Sequence, residues 1–387
     1  MSRTPEAPVY DLALVGAGGA NLLVLQALEK NGWLRGHDLL IIEPDTEKGN
    51  DRTWSFWTDQ TDPAYELYHE VVEHQWIRLS ATPKWKIKPL TYRYVQIRSA
   101  KLYQHARGVA AHYDRTHWKW ESVKKLKPEE DRVELHFQNG GMAQARHVLD
   151  SRPPQKSSLE GIVWQSFVGW RVRCPGANWD PTHAVLMDFD IPQDKQTQFI
   201  YFLPNSAEEG LLELTRFSPK VLSEEEALPY LRNYLGKNLP NCYIEEKEIN
   251  RIPMTMRLKG QKPHHRILPV GGAGGVVKPS TGYAFKNMAK HAKAIVEALE
   301  SGEELPLYRQ APLYAFCDTL LLRILQDDPS QGSILFKTFF KKSELPVVFR
   351  FLDEEAKTTQ VLNIMRRMPW RPFLNALWRQ ITDPRRP

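Results

Sequence analysis

Apolar runs and glycine turns alternate at the start of the chain in a pattern that predicts a strand, a turn, a helix and a second strand. An apolar segment at residues 11–15 is followed by a glycine-rich turn at 16–19. Apolar residues then recur over residues 20–31 at the spacing of about 3.6 residues that is typical of a helix. The aliphatic run at 39–42 is bounded by acids and has the composition of a buried parallel strand. These segments together predict a βαβ unit.

Further along the chain, strand-like and helical patterns follow one another. Several strand-like runs within residues 163–217 are separated by turn residues, which predicts an antiparallel sheet. The chain after residue 302 has mostly helical periodicity. The other predicted helices cover residues 101–113, 223–235 and the segment that ends at 300, and the other predicted strands lie within 118–137, at 144–150 and at 266–270.

The glycine turn has the residues expected of a dinucleotide-binding site. Gly16 permits a tight turn, and Gly18 lets the backbone approach a pyrophosphate that the N–H groups at the start of the helix can bind. Asn21 replaces the third glycine of the fingerprint, and Glu43 at the end of the second strand can accept hydrogen bonds from ribose hydroxyls. The N-terminal position of the motif and the long, interrupted remainder favour FAD over NAD. The candidate contacts are Gly16, Ala17, Gly18, Ala20, Asn21 and Glu43.

A second glycine-rich block precedes the helix that is predicted to end at residue 300. Glycines within residues 271–275 are followed by Lys278-Pro-Ser-Thr-Gly-Tyr-Ala-Phe285. Such a loop can bring backbone N–H groups to the pyrophosphate and to the pyrimidine edge of a flavin. The candidate cofactor contacts in this block are Gly272, Pro279, Thr281, Gly282 and Tyr283.

The order of these elements predicts an α/β flavoprotein fold with a discontinuous first domain. Residues 1–152 form a Rossmann-type FAD-binding domain with a middle excursion, and residues 265–300 return to it. Residues 153–264 form a substrate domain with an antiparallel sheet. Residues 301–387 form a helical C-terminal part.

Composition excludes several classes of protein. With 387 residues, 42% of them hydrophobic and 25% charged, the chain is neither disordered nor collagen-like, and it is long enough for two or so domains. Cys174, Cys242 and Cys317 are far apart in the sequence, which predicts neither a disulfide framework nor a zinc site. We expect no metal site. The chain shows no secretory signal and no apolar run long enough to span a bilayer, so we expect a cytoplasmic protein.

The positive charge is concentrated near the C-terminus. The net charge is +6, and residues 366–387 contain six arginines and one acid, interleaved with residues such as Trp370, Phe373 and Trp378. This mixture is typical of a segment that lies on an anionic lipid surface, and equally of a helix packed on its own domain. Nucleic acid is not an expected partner because no motif of a nucleic-acid-binding fold accompanies the charge.

A series of blocks along residues 10–290, together with one block near the C-terminus, resembles the FAD-dependent lycopene cyclases, the lycopene β-cyclase family of carotenoid biosynthesis. Their order along the chain makes the resemblance specific. The blocks are Gly16-Ala-Gly-Gly-Ala-Asn21, Thr53-Trp-Ser-Phe56, Asp150-Ser-Arg152, Phe167-Val-Gly-Trp170, Met187-Asp-Phe189, Leu212-Glu-Leu-Thr215, Arg251-Ile-Pro-Met254, Lys278-Pro-Ser-Thr-Gly-Tyr-Ala-Phe285 and Phe351-Leu-Asp-Glu354.

The resemblance implies a flavoprotein that folds the linear ψ-ends of lycopene into β-ionone rings. In the family this isomerisation involves no net electron transfer, yet it needs reduced FAD, which NADPH supplies. Protonation of the terminal double bond makes a tertiary carbocation, the neighbouring double bond attacks it, and loss of a proton leaves the ring alkene. An insoluble C40 hydrocarbon has to be collected from a membrane, so the resemblance also implies peripheral membrane association.

Glu213 is the candidate acid of this reaction. It lies in the strand-like run 211–215, where alternation puts it on the face opposite Leu212 and Leu214. The family motif aligns its first glutamate here, whereas Leu214 replaces a second acid. A carboxyl beside a hydrocarbon is desolvated, and the resulting rise in its pKa keeps it protonated.

Aromatic residues of the matching blocks are candidates for the wall of a polyene tunnel. Aromatic rings can contact a polyene and stabilise a cation, and the candidates are Trp54, Phe56 and Trp170. Buried aromatic residues often only form part of the hydrophobic core. Asp188 is either a second polar group of the site or a residue that closes a strand. The alternatives to a cyclase are an FAD-dependent monooxygenase or prenyl-chain reductase, and a carotenoid carrier without enzymatic activity. The sequence leaves open the ring type, the number of ends cyclised and the oligomeric state.

Overall fold

The structure is a computed structural model that describes residues 8–81, 88–153, 162–238, 241–256 and 264–382. The strands are β1 (Val9–Val15), β2 (Leu39–Ile42), β3 (Thr53–Thr58), β4 (His74–Ser80), β5 (Lys88–Arg98), β6 (Thr116–Lys119), β7 (Val123–Pro128), β8 (Val133–Phe137), β9 (Met142–Asp150), β10 (Val163–Arg173), β11 (His183–Asp188), β12 (Thr197–Pro204), β13 (Glu209–Ser218), β14 (Tyr243–Met254) and β15 (Ile267–Pro269). The helices are α1 (Gly19–Asn31), α2 (Ser99–Ala111), α3 (Glu224–Asn238), α4 (Phe285–Ser301), α5 (Pro312–Asp327), α6 (Gln331–Lys342), α7 (Leu345–Leu352), α8 (Thr358–Arg367) and α9 (Trp370–Thr382).

The first sheet contains the predicted βαβ unit. Its strand order is β6-β2-β1-β9-β8-β7, with β15 beside β9. The strands β6, β2, β1, β9 and β15 run parallel, and β7 and β8 pair antiparallel. Successive residues of β1 belong to two cores: Leu12 and Leu14 pack with residues of α1, α2 and α4, and Ala13 packs with residues of β8. Burial on both faces is why β1 and β2 are continuous apolar runs.

The second sheet has the strand order β14-β10-β13-β12-β11-β4-β5-β3. Its neighbours are antiparallel except for β4 and β11. The predicted antiparallel sheet within residues 163–217 is confirmed by β10, β11, β12 and β13. The strands β3, β4 and β5 join it from residues 53–98, so the excursion from the first domain contributes to the second sheet. The predicted α/β fold class, with a parallel βαβ sheet and an antiparallel second sheet, is confirmed.

The two faces of the second sheet are covered by different helices. On one face, alternate residues of β10 and β13 pack against Ala227 and Leu231 of α3. On the other face, Phe199 and Phe217 pack against α5 and α6. The odd-numbered residues of β13 therefore face the C-terminal helices. The predicted helical C-terminal part covers that face of the sheet.

A disulfide joins Cys174 to Cys242, so the expectation that the cysteines form no disulfide is wrong. Cys174 follows β10 and Cys242 precedes β14, and these strands are antiparallel neighbours in which Arg173 pairs with Tyr243. Their pairing brings the two cysteine Cα atoms to 4.2 Å, although 68 residues separate them in the sequence. The pairing of the two cysteines could not be expected from the sequence, because β14 was not predicted and its pairing with β10 was therefore unknown.

Candidate active site

A cavity of about 160 Å³ lies between the second sheet and the segment that leads into α4. It brings together residues from β3, β13 and residues 281–287, which are widely separated in the sequence. The predicted acid, two predicted aromatic residues and three predicted cofactor contacts share its wall. They are Glu213, Trp54, Phe56, Thr281, Gly282 and Tyr283.

Glu213 points into this cavity from β13. Its neighbours Leu212 and Leu214 are fully buried on the opposite face of the sheet, as the alternation predicted. Thr215 Oγ1 donates a hydrogen bond of 2.7 Å to Glu213 Oε1. The pKa of Glu213 is raised to about 8, chiefly by burial and then by the charge of Glu248, against a lowering by the Thr215 hydrogen bond. At neutral pH the carboxyl group therefore holds its proton.

Glu248 is a second, half-buried carboxyl group near Glu213, and the sequence did not indicate it. Gly169 of β10 pairs with Glu213 on one side and with Glu248 of β14 on the other. A Cβ atom at Gly169 would lie 3.5 Å from Glu213 Oε2, an ordinary contact distance, so the carboxyl group of Glu213 lies directly beside Gly169. Thr53 donates to Glu248 from its backbone N at 3.1 Å and from Oγ1 at 2.8 Å. Burial raises the pKa of Glu248, and the Thr53 hydrogen bonds oppose that rise.

Three tyrosine hydroxyls form another polar part of the wall that sequence reasoning missed. Tyr201 pairs with Glu213 across β12 and β13, and its Oη atom lies 2.5 Å from Tyr94 Oη. Tyr283 is hydrogen-bonded to Tyr94. Burial raises the pKa of Tyr94 and Tyr201 well above the ordinary value and that of Tyr283 to about 12, so the hydroxyls stay neutral.

The predicted aromatic residues Trp54 and Phe56 lie in the wall nearest the first domain. The rings of Phe56 and Phe285 stack with centroids 4.7 Å apart, and Trp54 lies 5.4 Å from Phe285. A Cβ atom at Gly19 would come within 3.0 Å of Trp54, so this ring also packs on the first residue of α1. Trp54 therefore connects the glycine turn with the cavity that contains Glu213.

Trp170 does not line this cavity, which contradicts its predicted place in the wall, and Asp188 does not line it either, which leaves the alternative that Asp188 closes a strand. Trp170 pairs with Leu212 and lies in the core beneath α3, because it follows Gly169 by one residue and side chains alternate along a strand. Asp188 pairs with Ile200, which belongs to the same core. Asp188 accepts a hydrogen bond from the Asp190 backbone N at 3.0 Å, as expected of a residue that closes a strand.

The β1–α1 turn has the predicted tight geometry. Gly16 adopts a φ of +85°, which a side chain would disfavour. The Ala17 backbone N donates to Glu43 Oε2 at 2.8 Å, and Lys48 donates to the same oxygen at 2.8 Å. Glu43 thus holds the turn closed, and its contact with a ribose stays a prediction. Gly18 is the N-cap residue of α1, and no side-chain hydrogen bond from the described residues caps this helix.

Asn21 and Ala20 lie beneath the turn. Asn21 is completely buried, and its Nδ2 atom donates to the carbonyl oxygens of Val15 and Gly16 at 3.1 and 2.7 Å. Its side chain therefore fixes the turn, while its Oδ1 atom has no hydrogen-bond partner among the described residues, and its contact with a cofactor stays a prediction. Ala20 is 6% exposed, and a Cβ atom at Gly271 would lie 3.2 Å from its Cβ atom. The two glycine-rich blocks are thus adjacent.

The second block passes from an open surface into the cavity. Gly272 is exposed, with no atom within 4 Å of where a Cβ atom would lie, and Pro279 is half-buried in the following turn. The buried Oγ1 atom of Thr281 has no hydrogen-bond partner in the described part of the chain. Gly282 has a φ of +74°, and a side chain there would collide with Gln165, so this glycine serves packing against β10.

In the described ranges, no group of three His, Cys, Asp or Glu side chains could hold a metal ion. Within those ranges, none of the helices combines the length and the apolar character needed to cross a bilayer.

Comparisons with known proteins identify the family. The family model for lycopene cyclase protein matches residues 11–378. The chain is 28% identical to the lycopene beta-cyclase of Pseudescherichia vulneris over 315 residues, which are 79% of this chain and 78% of that relative. It is 26% identical to the lycopene beta-cyclase of Pantoea ananas over 286 residues, 72% of each chain.

The fold is shared with more distant solved structures. A geranylgeranyl bacteriochlorophyll reductase-like protein from Thermoplasma acidophilum matches with a TM-score of 0.57 at 13% identity, over 97% of each chain. A flavoprotein/dehydrogenase from Cytophaga hutchinsonii matches with a TM-score of 0.56 at 13% identity, over 89% of this chain and 92% of the other. These identities establish similarity of fold alone, whereas the family match covers nearly the whole sequence. The chain belongs to the lycopene cyclase family.

Proposed function

We propose that the protein is a lycopene β-cyclase that uses Glu213 as the acid of a redox-neutral ring closure. The observation that carries this proposal is a carboxyl group with a pKa of about 8 in a cavity with aromatic walls. Protonating an alkene requires an acid that keeps its proton at neutral pH without competition from water. The class of reaction is an intramolecular lyase or isomerase reaction.

The two glycine-rich blocks fit the phosphates of FAD. Gly18 and Gly272 leave space beside the backbone, and α1 begins without a side-chain cap, so its first N–H groups are directed toward an anion. Thr281 Oγ1 is a buried atom without a partner at the boundary between these blocks and the cavity. We assign the phosphates to residues 16–20 and 271–272, and the flavin to the side of the cavity near Thr281.

The steps of the reaction follow from the cavity residues. Glu213 donates its proton to the terminal double bond of a ψ-end, and the neighbouring double bond then attacks the tertiary cation to close the ring. The carboxylate of Glu213 takes back a proton from the ring, which restores the acid and leaves an alkene. Reduced FAD, when bound, supplies electron density that stabilises positive charge. NADPH is the proposed reductant.

The rest of the wall protects the cation. Trp54 and Phe56 offer ring faces and no nucleophile, and aromatic faces attract cations. The buried hydroxyls of Tyr94, Tyr201 and Tyr283 stay neutral and bonded to one another, so none of them is a phenolate that could trap the cation. The site thus places the Glu213 acid beside aromatic faces and neutral tyrosine hydroxyls that do not trap a cation.

The substrate is insoluble in water, and α9 offers a surface for collecting it from a membrane. Trp370, Leu374, Trp378 and Ile381 are exposed on this helix, and arginines at 371 and 379 lie beside them. An apolar face bordered by basic side chains is typical of a helix that lies on anionic lipid. We propose peripheral membrane association through α9. The arginines at 385 and 386 lie outside the described residues.

The proposal is tested by reducing the bound FAD chemically and asking whether ring products form although no further reductant is consumed. Purified protein is incubated anaerobically with FAD, lycopene vesicles and dithionite, and the polyene is separated by chromatography. A cyclase forms ring products without oxygen and without stoichiometric use of reductant. Bound FAD with unchanged lycopene would contradict the cyclase function and favour a monooxygenase or reductase. Polyene binding without ring products would favour a carrier.

A further inference from the structure

A second cavity, of about 200 Å³, lies on the side of residues 280–281 that faces the C-terminal helices. Thr281 and Leu352 line both this cavity and the one that contains Glu213. The two cavities are therefore neighbours that share these side chains as a partition. We propose that the second cavity holds the distal hydrocarbon chain of the linear polyene whose ψ-end lies at Glu213. This inference rests on the proposed cyclase function.

The lining of the second cavity suits a hydrocarbon. Its walls come from α5, α6, α7, α8 and α9 and consist mainly of Leu, Ile, Met and Phe side chains. Asp318 is among the few polar lining residues, and its carboxylate is already bonded by Lys278 at 2.9 Å and by Ser280 at 2.6 Å. Because the Asp318 carboxylate has these partners, it does not demand a polar ligand in the cavity. Met365 and Met368 add side chains that adapt to the shape of a ligand.

The outer end of this cavity reaches the apolar face of α9. Trp370 and Leu374 line the cavity and are also 64% and 52% exposed. A hydrocarbon at the surface of α9 can therefore pass into the second cavity and reach Glu213 beyond Thr281 and Leu352. The path is bordered by apolar side chains at its surface end, so a polyene need not cross water between a lipid surface and the acid.

Neither cavity alone is large enough for the substrate. Pockets for organic ligands of drug size commonly measure about 300–1,000 Å³. The Glu213 cavity of about 160 Å³ is below that range, and so is the second cavity of about 200 Å³. If the two cavities are joined past Thr281 and Leu352, their combined volume reaches the lower end of that range. The first cavity then holds the reacting end and the second the chain that follows.

Cys317 provides a test on the unmodified protein. This free thiol is partly exposed and lines the second cavity but not the first. Vesicles with and without lycopene are added to the FAD-loaded protein, and alkylation of Cys317 by an apolar maleimide is followed by mass spectrometry. We expect lycopene to slow alkylation about tenfold or more, which corresponds to about 1.4 kcal/mol.

A matched pair of variants tests the same cavity through turnover. Leu321→Trp enlarges a side chain in its wall, and Phe316→Trp makes a similar change on the exposed side of α5. The larger side chain occupies space that the polyene needs, so lycopene turnover in Leu321→Trp should fall roughly tenfold or more, with FAD content kept. The Phe316→Trp variant should retain turnover.

The outcomes separate the inference from the proposed function. Cyclisation by the wild-type protein with protection of Cys317 supports both. Cyclisation without protection overturns the inference and leaves the cyclase function in place, whatever the Leu321→Trp variant does. Protection without cyclisation supports the polyene site and contradicts the cyclase. Neither protection nor cyclisation contradicts both.

Discussion

Glu213 illustrates how one residue acquires its chemistry from its neighbours. Its position on β13 follows from simple alternation, because Leu212 and Leu214 occupy the opposite face. Its raised pKa depends on burial and on Glu248, which lies across Gly169 on another strand. The alternation was visible in the sequence. The neighbouring carboxylate was not, because it required knowledge of strand pairing.

The pH dependence of activity should report the protonation of Glu213. A group with a raised pKa is protonated below that value and loses its proton as the pH rises through it. Activity that requires protonated Glu213 should therefore be constant at lower pH and decline through about pH 8. A plot of kcat/KM for lycopene against pH, measured with FAD kept reduced, should show this decline as its alkaline limb.

Replacing Glu248 should shift that limb. Glu248→Gln removes a negative charge that raises the pKa of Glu213, so the decline should move to lower pH. Glu245→Gln, on the exposed part of the same strand, is the matched control and should leave the limb in place. An unchanged limb in a folded, FAD-loaded Glu248→Gln variant would show that the two carboxyl groups are not coupled.

The wrong placement of Trp170 and the failure to identify Glu248 both arise because the sequence does not show how strands pair and which way their side chains face. Trp170 belongs to a block that resembles the family, yet it lies one residue from Gly169 and so faces α3. Glu248 was missed because β14 is an edge strand whose exposed half is rich in charged residues. Such a segment does not show the apolar alternation by which strands are recognised.

At the scale of elements, buried ion pairs attach the C-terminal helices to the segment between the two cavities. Lys278 is paired with Asp318 of α5 at 2.9 Å and with Glu354 at 3.4 Å. Lys286 is paired with Asp353 at 2.7 Å, and Trp57 Nε1 donates to the same carboxylate at 2.6 Å. The block that contains Asp353 and Glu354 thus anchors α7 to both ends of the segment 278–286.

Breaking this anchor should destabilise the protein strongly. Lys278→Met leaves the carboxylate of Asp318 buried without its cation, and the loss of one member of a buried pair costs about 3–5 kcal/mol. Urea unfolding measures the change in the free energy of unfolding. Lys290→Met is the control, since the pair with Glu355 is exposed and should contribute about 0–1 kcal/mol. Equal effects of the two substitutions would contradict the anchoring role.

Most elements could be predicted from the sequence because local periodicity determines them. The βαβ unit, α2, α3 and α4 follow this rule. The assignment of β3, β4 and β5 to the second sheet could not be predicted, since these strands pair with segments far away in the sequence. The disulfide depends on the same long-range pairing.

At the scale of the whole molecule, the C-terminal helices connect the surface to the acid. The helix α9 packs on α5 through Ala376, and its opposite side exposes Trp378 and Ile381. The sequence left open whether this segment lies on lipid or packs on its own domain. The structure shows packing on one side of α9 and an exposed apolar face on the other.

Membrane association should depend on the exposed face of α9. The double variant Trp378→Ser and Ile381→Ser removes two large apolar side chains, each worth about 1.5 kcal/mol or more on burial, so partition should fall roughly tenfold per side chain. Co-sedimentation with anionic vesicles measures the partition. Ile249→Ser, at an exposed position of β14, is the control. An equal partition of both variants would exclude α9 as the contact surface.

Comparison of Glu213→Gln with the wild-type protein tests the central claim most directly. Glutamine has nearly the same shape and cannot donate a proton to an alkene, so this variant should bind FAD and lycopene and form no ring product under anaerobic, reducing conditions. FAD absorbance, polyene binding and chromatography of the products are measured on the same samples. Ring formation at the wild-type rate by Glu213→Gln would contradict the account, because the proton would then come from another group.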